Sequence, residues 1–165
     1  MQPTLALAVL ILAFAATPAA LAHGEKAHAR PATALRLQQS WGIAGDPDVA
    51  SRTLVVRMRD SMRFHPDRIR VRLGETIRFV VRNEGKMRHE MVIGTDAVLK
   101  EHAELMRRFP DMEHDEPWMV HVDLGGTGEI VWQFNRAGEF GYACLIPGHY
   151  EAGMVGRIEV LAPRR

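Results

Sequence analysis

Between residues 67 and 83 the chain reads DRIRVRLGETIRFVVRN, and apolar side chains recur at every second position. Ile69, Val71 and Leu73 alternate with arginines. After the Gly74-Glu75 turn, Ile77, Phe79 and Val81 alternate with Arg78, Val80 and Arg82. Successive side chains of a strand point to opposite faces, so this period puts one face in a core and the other in water. Further strands are expected over RTLVVRM (52–58), HEMVIG (89–94), MVHVDL (119–124), GEIVWQFN (128–135), GEFGYACL (138–145) and GRIEVL (156–161). The period changes once. In TDAVLKEHAELMRRF, Val98, Leu99, His102, Leu105 and Met106 fall at helical spacing, Thr95 or Asp96 can cap the start, and Pro110 ends the run. About eight short strands with turn signals and one inserted helix imply an all-β Greek-key sandwich.

The first residues do not follow this pattern. Leu5 to Ala16 is an apolar run too short to span a bilayer, and Ala20-Leu21-Ala22 follows as a small-x-small cleavage pattern. Residues 1–22 therefore read as a secretory signal peptide, with no stable membrane insertion after cleavage. The basic n-region usual in such peptides is missing. Residues 23–50 read as an extended histidine-bearing tail with a short helix around 34–40, and 51–165 as the folded domain. Periplasmic export follows from this division. The net charge of +1 argues against nucleic acid as a partner.

The segment CLIPGHYEAGM, residues 144–154, holds the only cysteine of the chain. A single cysteine in an oxidising compartment cannot form an internal disulfide. It is buried, pairs between chains, reacts, or binds a metal. Phe140, Tyr142 and Cys144 share one strand face; Pro147-Gly148 turns the chain at His149, and Gly153 lets Met154 point back. Thiolate, imidazole and thioether are a soft donor set that suits copper. A second histidine would complete a two-histidine, one-thiolate plane, and His89, after the polar turn NEGKMR, is the candidate.

GEFGYACLIPGHYEAGMVGRIEV resembles the C-terminal copper loop of cupredoxins, the plastocyanin, azurin and rusticyanin class, and RNEGKMRHEMVIG resembles their upstream histidine segment. The resemblance runs from about Arg52 to Leu161. It implies the cupredoxin sandwich and a type 1 copper ligated by His89, Cys144, His149 and Met154, with the His149 edge as the route for electrons. One position departs. Glu90 stands where blue copper proteins often carry an asparagine that ties the two ligand loops. A carboxylate cannot donate to the thiolate unless protonated, which leaves the tuning of the site open. The absence of a second loop cysteine implies a mononuclear centre.

His102, Met106, Met112, His114, Met119 and His121 lie in the region between His89 and Cys144. Clustered imidazoles and thioethers can bind additional copper; equally, they read as core methionines with exposed histidines. A narrower resemblance, carried by MRFHPDRIRVRLGETIRFVVRNEGKMRHEMVIG and HDEPWMVHVDLGGTGEIVWQF, is to periplasmic cupredoxins of bacterial copper tolerance. After cleavage His23 becomes the first residue, where amine and imidazole form a chelate for Cu(II), although His23 and His28 also read as plain tail residues. The chain has neither the H-x-H pairs and H-C-H triplet of multicopper oxidases nor a G-x-S-x-G nucleophile motif. The expectation is a non-enzyme with copper ions as partners, acting in copper tolerance or handling. The alternative is an electron shuttle with a redox protein partner.

Overall fold

A computed structural model describes residues 37–110, 112 and 114–163. The signal peptide, His23 and His28 lie outside the described residues. Among the described residues, ten strands form two five-stranded sheets. The first has the order β1 (Ile43–Ala44), β8 (Thr127–Gln133), β5 (Thr76–Asn83), β2 (Arg52–Arg59), β3 (Arg63–His65). The second runs β4 (Arg68–Arg72), β10 (Val155–Leu161), β9 (Gly138–Ala143), β6 (His89–Gly94), β7 (Met119–Val122). Pairing is antiparallel except β2 with β5 and β4 with β10. The chain crosses repeatedly between sheets, as the Greek-key expectation requires.

The alternation works as read except at Leu73, which lies past the end of β4 and is exposed. Ile69 and Val71 of β4 and Ile77, Phe79 and Val81 of β5 are buried between the sheets with Trp132, Phe134, Tyr142 and Ile158. The arginines stay outside and pair across strands: Arg70 with Glu159 at 3.0 Å and Arg78 with Glu129 at 3.1 Å. Such exposed pairs are worth ~0–1 kcal/mol each, so the core, not the ion pairs, carries the sheet.

Strand β6 differs: all six of its residues are buried. Met91 and Ile93 face the inter-sheet core. Val92 faces the other way, into a second apolar cluster with Leu99, Ala103 and Met106 of helix α1 (Asp96–Arg108), Met119 of β7, Ala143 and Leu145. The helix thus covers the outer face of the second sheet. Thr95 is its N-cap, accepting from Val98 N–H at 3.3 Å, and the Phe109 N–H closes the last turn on Leu105 O.

The reading of residues 23–50 as an extended tail with a short helix around 34–40 does not hold over 41–44, which pack on the sandwich, and a 3-10 turn stands at Pro47–Val49. Among the described residues 37–40 there is no helix; Gln39 bridges Gly42 instead. Strand β1 pairs with β8. Trp41 is buried, stacked 6.5 Å from Trp132 and edge-on to Trp118 at 5.6 Å, and its carbonyl accepts from Trp132 Nε1 at 3.1 Å. Gly42 has φ +137°, and a Cβ there would run into the Trp132 indole.

Candidate metal centre

Two connections deliver the donors. The first is the turn between β5 and β6. Asn83 shapes it, donating to Met87 O at 2.7 Å and Val122 O at 3.0 Å while accepting from Gly85 N–H at 2.9 Å. Asp60, in the β2–β3 turn, accepts from Lys86 N–H at 2.8 Å and places Oδ1 3.1 Å from His89 Nε2. The Lys86 N–H, joined by the His89 ring, holds the Asp60 carboxyl below its ordinary pKa. Asp60 therefore fixes both the turn and the far nitrogen of the His89 ring, leaving Nδ1 facing inward.

The second connection is the β9–β10 loop. Its ends are closed by Cys144 N–H to Met154 O at 3.1 Å and Met154 N–H to His149 O at 3.0 Å. Gly148 and Gly153 turn it with φ of 88° and 85°. From outside, Arg63 donates to Ala152 O at 2.9 Å. The loop is thus fastened at its hairpin and at its tip.

These connections bring three donors together. His89 Nδ1 and His149 Nδ1 are 3.2 Å apart, and Cys144 Sγ is 3.2 Å from His149 Nδ1. His89, Cys144 and His149 form one group whose ligand atoms all lie within 4.8 Å of each other. Met154 is fully buried in the same core cluster as Cys144. Cys144 and His89 are fully buried too, whereas His149 is only partly so. Burial pushes the Cys144 thiol up to about 12, so the metal-free chain keeps it protonated and an incoming cation must displace that proton. Burial, then the neighbouring His89, lowers the His149 pKa and keeps that ring neutral and ready to ligate.

Glu90 resolves the tie between the ligand segments. The hydrogen bond to sulfur comes from its backbone N–H, at 3.5 Å, and not from its side chain. The side chain ties the segments as an acceptor: Oε1 takes the Leu145 N–H at 2.8 Å. Oε2 lies 2.9 Å from His121 Nδ1. That contact raises the His121 pKa above its ordinary value and sets a ring that readily takes up a proton against the buried carboxylate. Neither Asp60 nor the carboxylate role of Glu90 was signalled by a motif. Cross-strand register explains the latter, because Glu90 and His121 stand directly opposite each other on β6 and β7.

The remaining residues of interest separate into two groups. His102, His114 and His121 come together: His102 Nε2 is 2.7 Å from His114 Nε2, and the His114 and His121 rings are 5.7 Å apart, edge to face. Met106 and Met119 pack into the apolar cluster under α1. Met112 is exposed, and its carbonyl lies 3.0 Å from His114 Nδ1.

A Greek-key sandwich with a histidine–cysteine–histidine donor group at one end defines a cupredoxin. Residues 51–161 match the model of the copper binding proteins of the plastocyanin/azurin family, and the chain belongs to that family. It is 57% identical over 120 residues to a copper-resistant cuproprotein CopI of Rubrivivax gelatinosus, covering 73% of each chain. Its identity to the protein of the same name in Pseudomonas aeruginosa is 35% over 166 residues, covering 83% of this chain and 89% of that one. Among solved structures, auracyanin B superposes with a TM-score of 0.61 at 21% identity, over 75% of this chain and 96% of that one, which shows the shared fold. The metal is copper at a type 1 site: two imidazoles, one thiolate and a buried thioether are the soft, low-symmetry set that copper takes.

Proposed function

We propose that the chain is an exported copper-binding protein of copper resistance, with His89, Cys144 and His149 as the strong ligands and Met154 as the weak axial one. The observation that carries this reading is the 57% identity over 120 residues to a protein named as a copper-resistant cuproprotein, beside the His89, Cys144 and His149 donor group of this chain. The apolar run at the N-terminus supports periplasmic location.

Bound copper would supply a one-electron couple between Cu(I) and Cu(II). The chain's own part is to hold the donors. Asp60 orients the His89 ring, the Glu90 backbone N–H stabilises the thiolate, and the closed β9–β10 hairpin keeps Cys144, His149 and Met154 in one arrangement. Burial of Cys144, His89 and Met154 keeps bulk water out.

A second reading, electron shuttling to a redox protein, is favoured by one observation. His149 is the ligand that is only partly buried, and it sits beside half-buried Ile146 and exposed Pro147. A deletion strain separates the two readings. Copper sensitivity with normal respiration, rescued by the wild-type gene but not by Cys144→Ser, supports copper resistance. Impaired respiration with unchanged copper tolerance supports shuttling instead.

A further inference from the structure

We propose that Arg63 is a positioning residue of the copper site: it holds the peptide that leads into Met154, and the β2–β3 hairpin that carries it braces the two ligand-bearing connections against each other. The hairpin lies outside both connections and touches each with one side chain. At its turn, Asp60 accepts from Lys86 N–H at 2.8 Å and Met87 N–H at 3.4 Å and meets His89 Nε2 at 3.1 Å, which holds the His89 segment. Three residues on, Arg63 reaches the β9–β10 loop. Its Nη1 donates to Ala152 O at 2.9 Å and Gly153 O at 3.3 Å, and to Met62 O at 2.7 Å within the hairpin. A charged donor makes these bonds stronger than neutral ones.

The grip falls on one peptide plane. Gly153 O and Met154 N belong to the same planar unit. Arg63 holds the oxygen, and the Met154 N–H donates to His149 O at 3.0 Å on the other side. Two opposed bonds fix the tilt of that plane, and with it the direction in which the Met154 side chain leaves the backbone. Gly153 has φ of 85°, and a Cβ there would stand 3.4 Å from Arg63 Nη1, so the guanidinium packs close against the glycine.

A brace has to be fixed itself. Strand β3 pairs with β2, Arg63 opposite Arg59 and Phe64 opposite Met58. Phe64 is buried with its ring 5.0 Å from that of Tyr142, and the Tyr142 hydroxyl donates to Pro66 O at 2.6 Å. Tyr142 belongs to β9, the strand that delivers Cys144, so the hairpin is anchored to the element that carries the thiolate. Met62, at the turn, has φ of 58°, a left-handed conformation that residues with side chains seldom take. Its carbonyl is one of the Arg63 acceptors, as expected where surrounding contacts hold a costly backbone conformation.

The reduction potential separates positioning from mere support. The potential of such a site follows its axial ligand. Freeing the peptide before Met154 weakens the thioether's donation, which disfavours Cu(II) and raises the potential. Removing a positive charge near the metal acts the other way, because it stabilises Cu(II). An arginine that only stabilised the fold would leave the potential of the folded protein unmoved.

The proposal rests on the reading of Met154 as axial ligand, so one arm of its test uses no metal. The full-length mature protein is compared with Arg63→Ala and with Arg59→Ala, which removes the same charge from the same hairpin at an exposed arginine paired with Glu84. In the metal-free chain, reaction of the buried Cys144 thiol with dithionitrobenzoate reads opening of the loop. The rate should rise about tenfold in Arg63→Ala and stay unchanged in Arg59→Ala. With copper bound, voltammetry should read a higher potential in Arg63→Ala, with copper retained, and an unchanged or lower one in Arg59→Ala. The proposal is overturned by a wild-type thiol rate in Arg63→Ala, by a potential there that stays or falls, or by the same changes in Arg59→Ala. Should Arg63→Ala not fold, Arg63→Gln, which keeps part of the stem and ends two bonds short of Nη1, decides by the same two readings. A wild-type chain that takes up no copper would contradict the metal reading, and the thiol rates would still decide the brace.

Discussion

Strand β6 carries two neighbouring residues with opposite tasks. His89 points to one face and joins Cys144 and His149; Glu90 points to the other and meets His121. Both clusters use the same device, a carboxylate on the far nitrogen of a histidine. They differ in their donors and their burial. The first has a thiolate, a buried thioether and two fully buried strong ligands; the second has only imidazoles, all partly exposed. The first therefore suits a copper ion held in one place through a redox change. The second is a set of converging imidazoles partly open to solvent. Glu90 is common to both, since its backbone serves the sulfur and its carboxylate serves Leu145 and His121.

Four substitutions test that contrast. Cys144→Ser should have the largest effect: the intense visible band disappears completely. Survival of that band would show that Cys144 does not ligate. Glu90→Gln comes next. Its amide oxygen still accepts the Leu145 N–H, but its amide group now donates to His121 Nδ1, forcing the hydrogen onto Nε2. The His121 pKa should then fall back towards the ordinary histidine value with the visible band retained, as an NMR pH titration will read; an unchanged pKa would show that Glu90 does not hold that ring. Asp60→Ala should weaken only the first site, and only about tenfold, because water can replace a partly exposed carboxylate. Unchanged copper affinity in that variant would show that Asp60 does not hold the His89 ring. Met154→Gln should have the smallest effect, keeping copper but shifting colour and potential, as voltammetry will show. Complete loss of copper there would make Met154 more than a weak ligand.

The sandwich was legible because arginine and branched apolar residues alternate so regularly in β4 and β5. The donor loop was legible because Cys144, His149 and Met154 are close in sequence and the fold only has to close a hairpin around them. His89 was reached as the histidine opening a strand after the polar turn NEGKMR, and sheet pairing accounts for its position. What local patterns could not give was long-range. Trp41 follows polar, breaker-rich sequence, and its place against Trp118 and Trp132 depends on packing across the sheet. The two-residue β1 is too short to show a period. Glu90 read as a departure from the family pattern because its acceptor role depends on a backbone N–H fifty-five residues away. The methionines at 106 and 119 carried the same sequence signal as the histidines beside them, and only burial separates the packed thioethers from the converging rings.

The most direct measurement is the absorption spectrum of the wild-type protein loaded with one equivalent of Cu(II). The convergence of His89, Cys144 and His149 predicts an intense thiolate-to-copper charge-transfer band in the visible, bleached by reduction with ascorbate and restored by oxidation. Tight copper binding with only weak ligand-field bands would mean that Cys144 does not ligate, and would contradict the account.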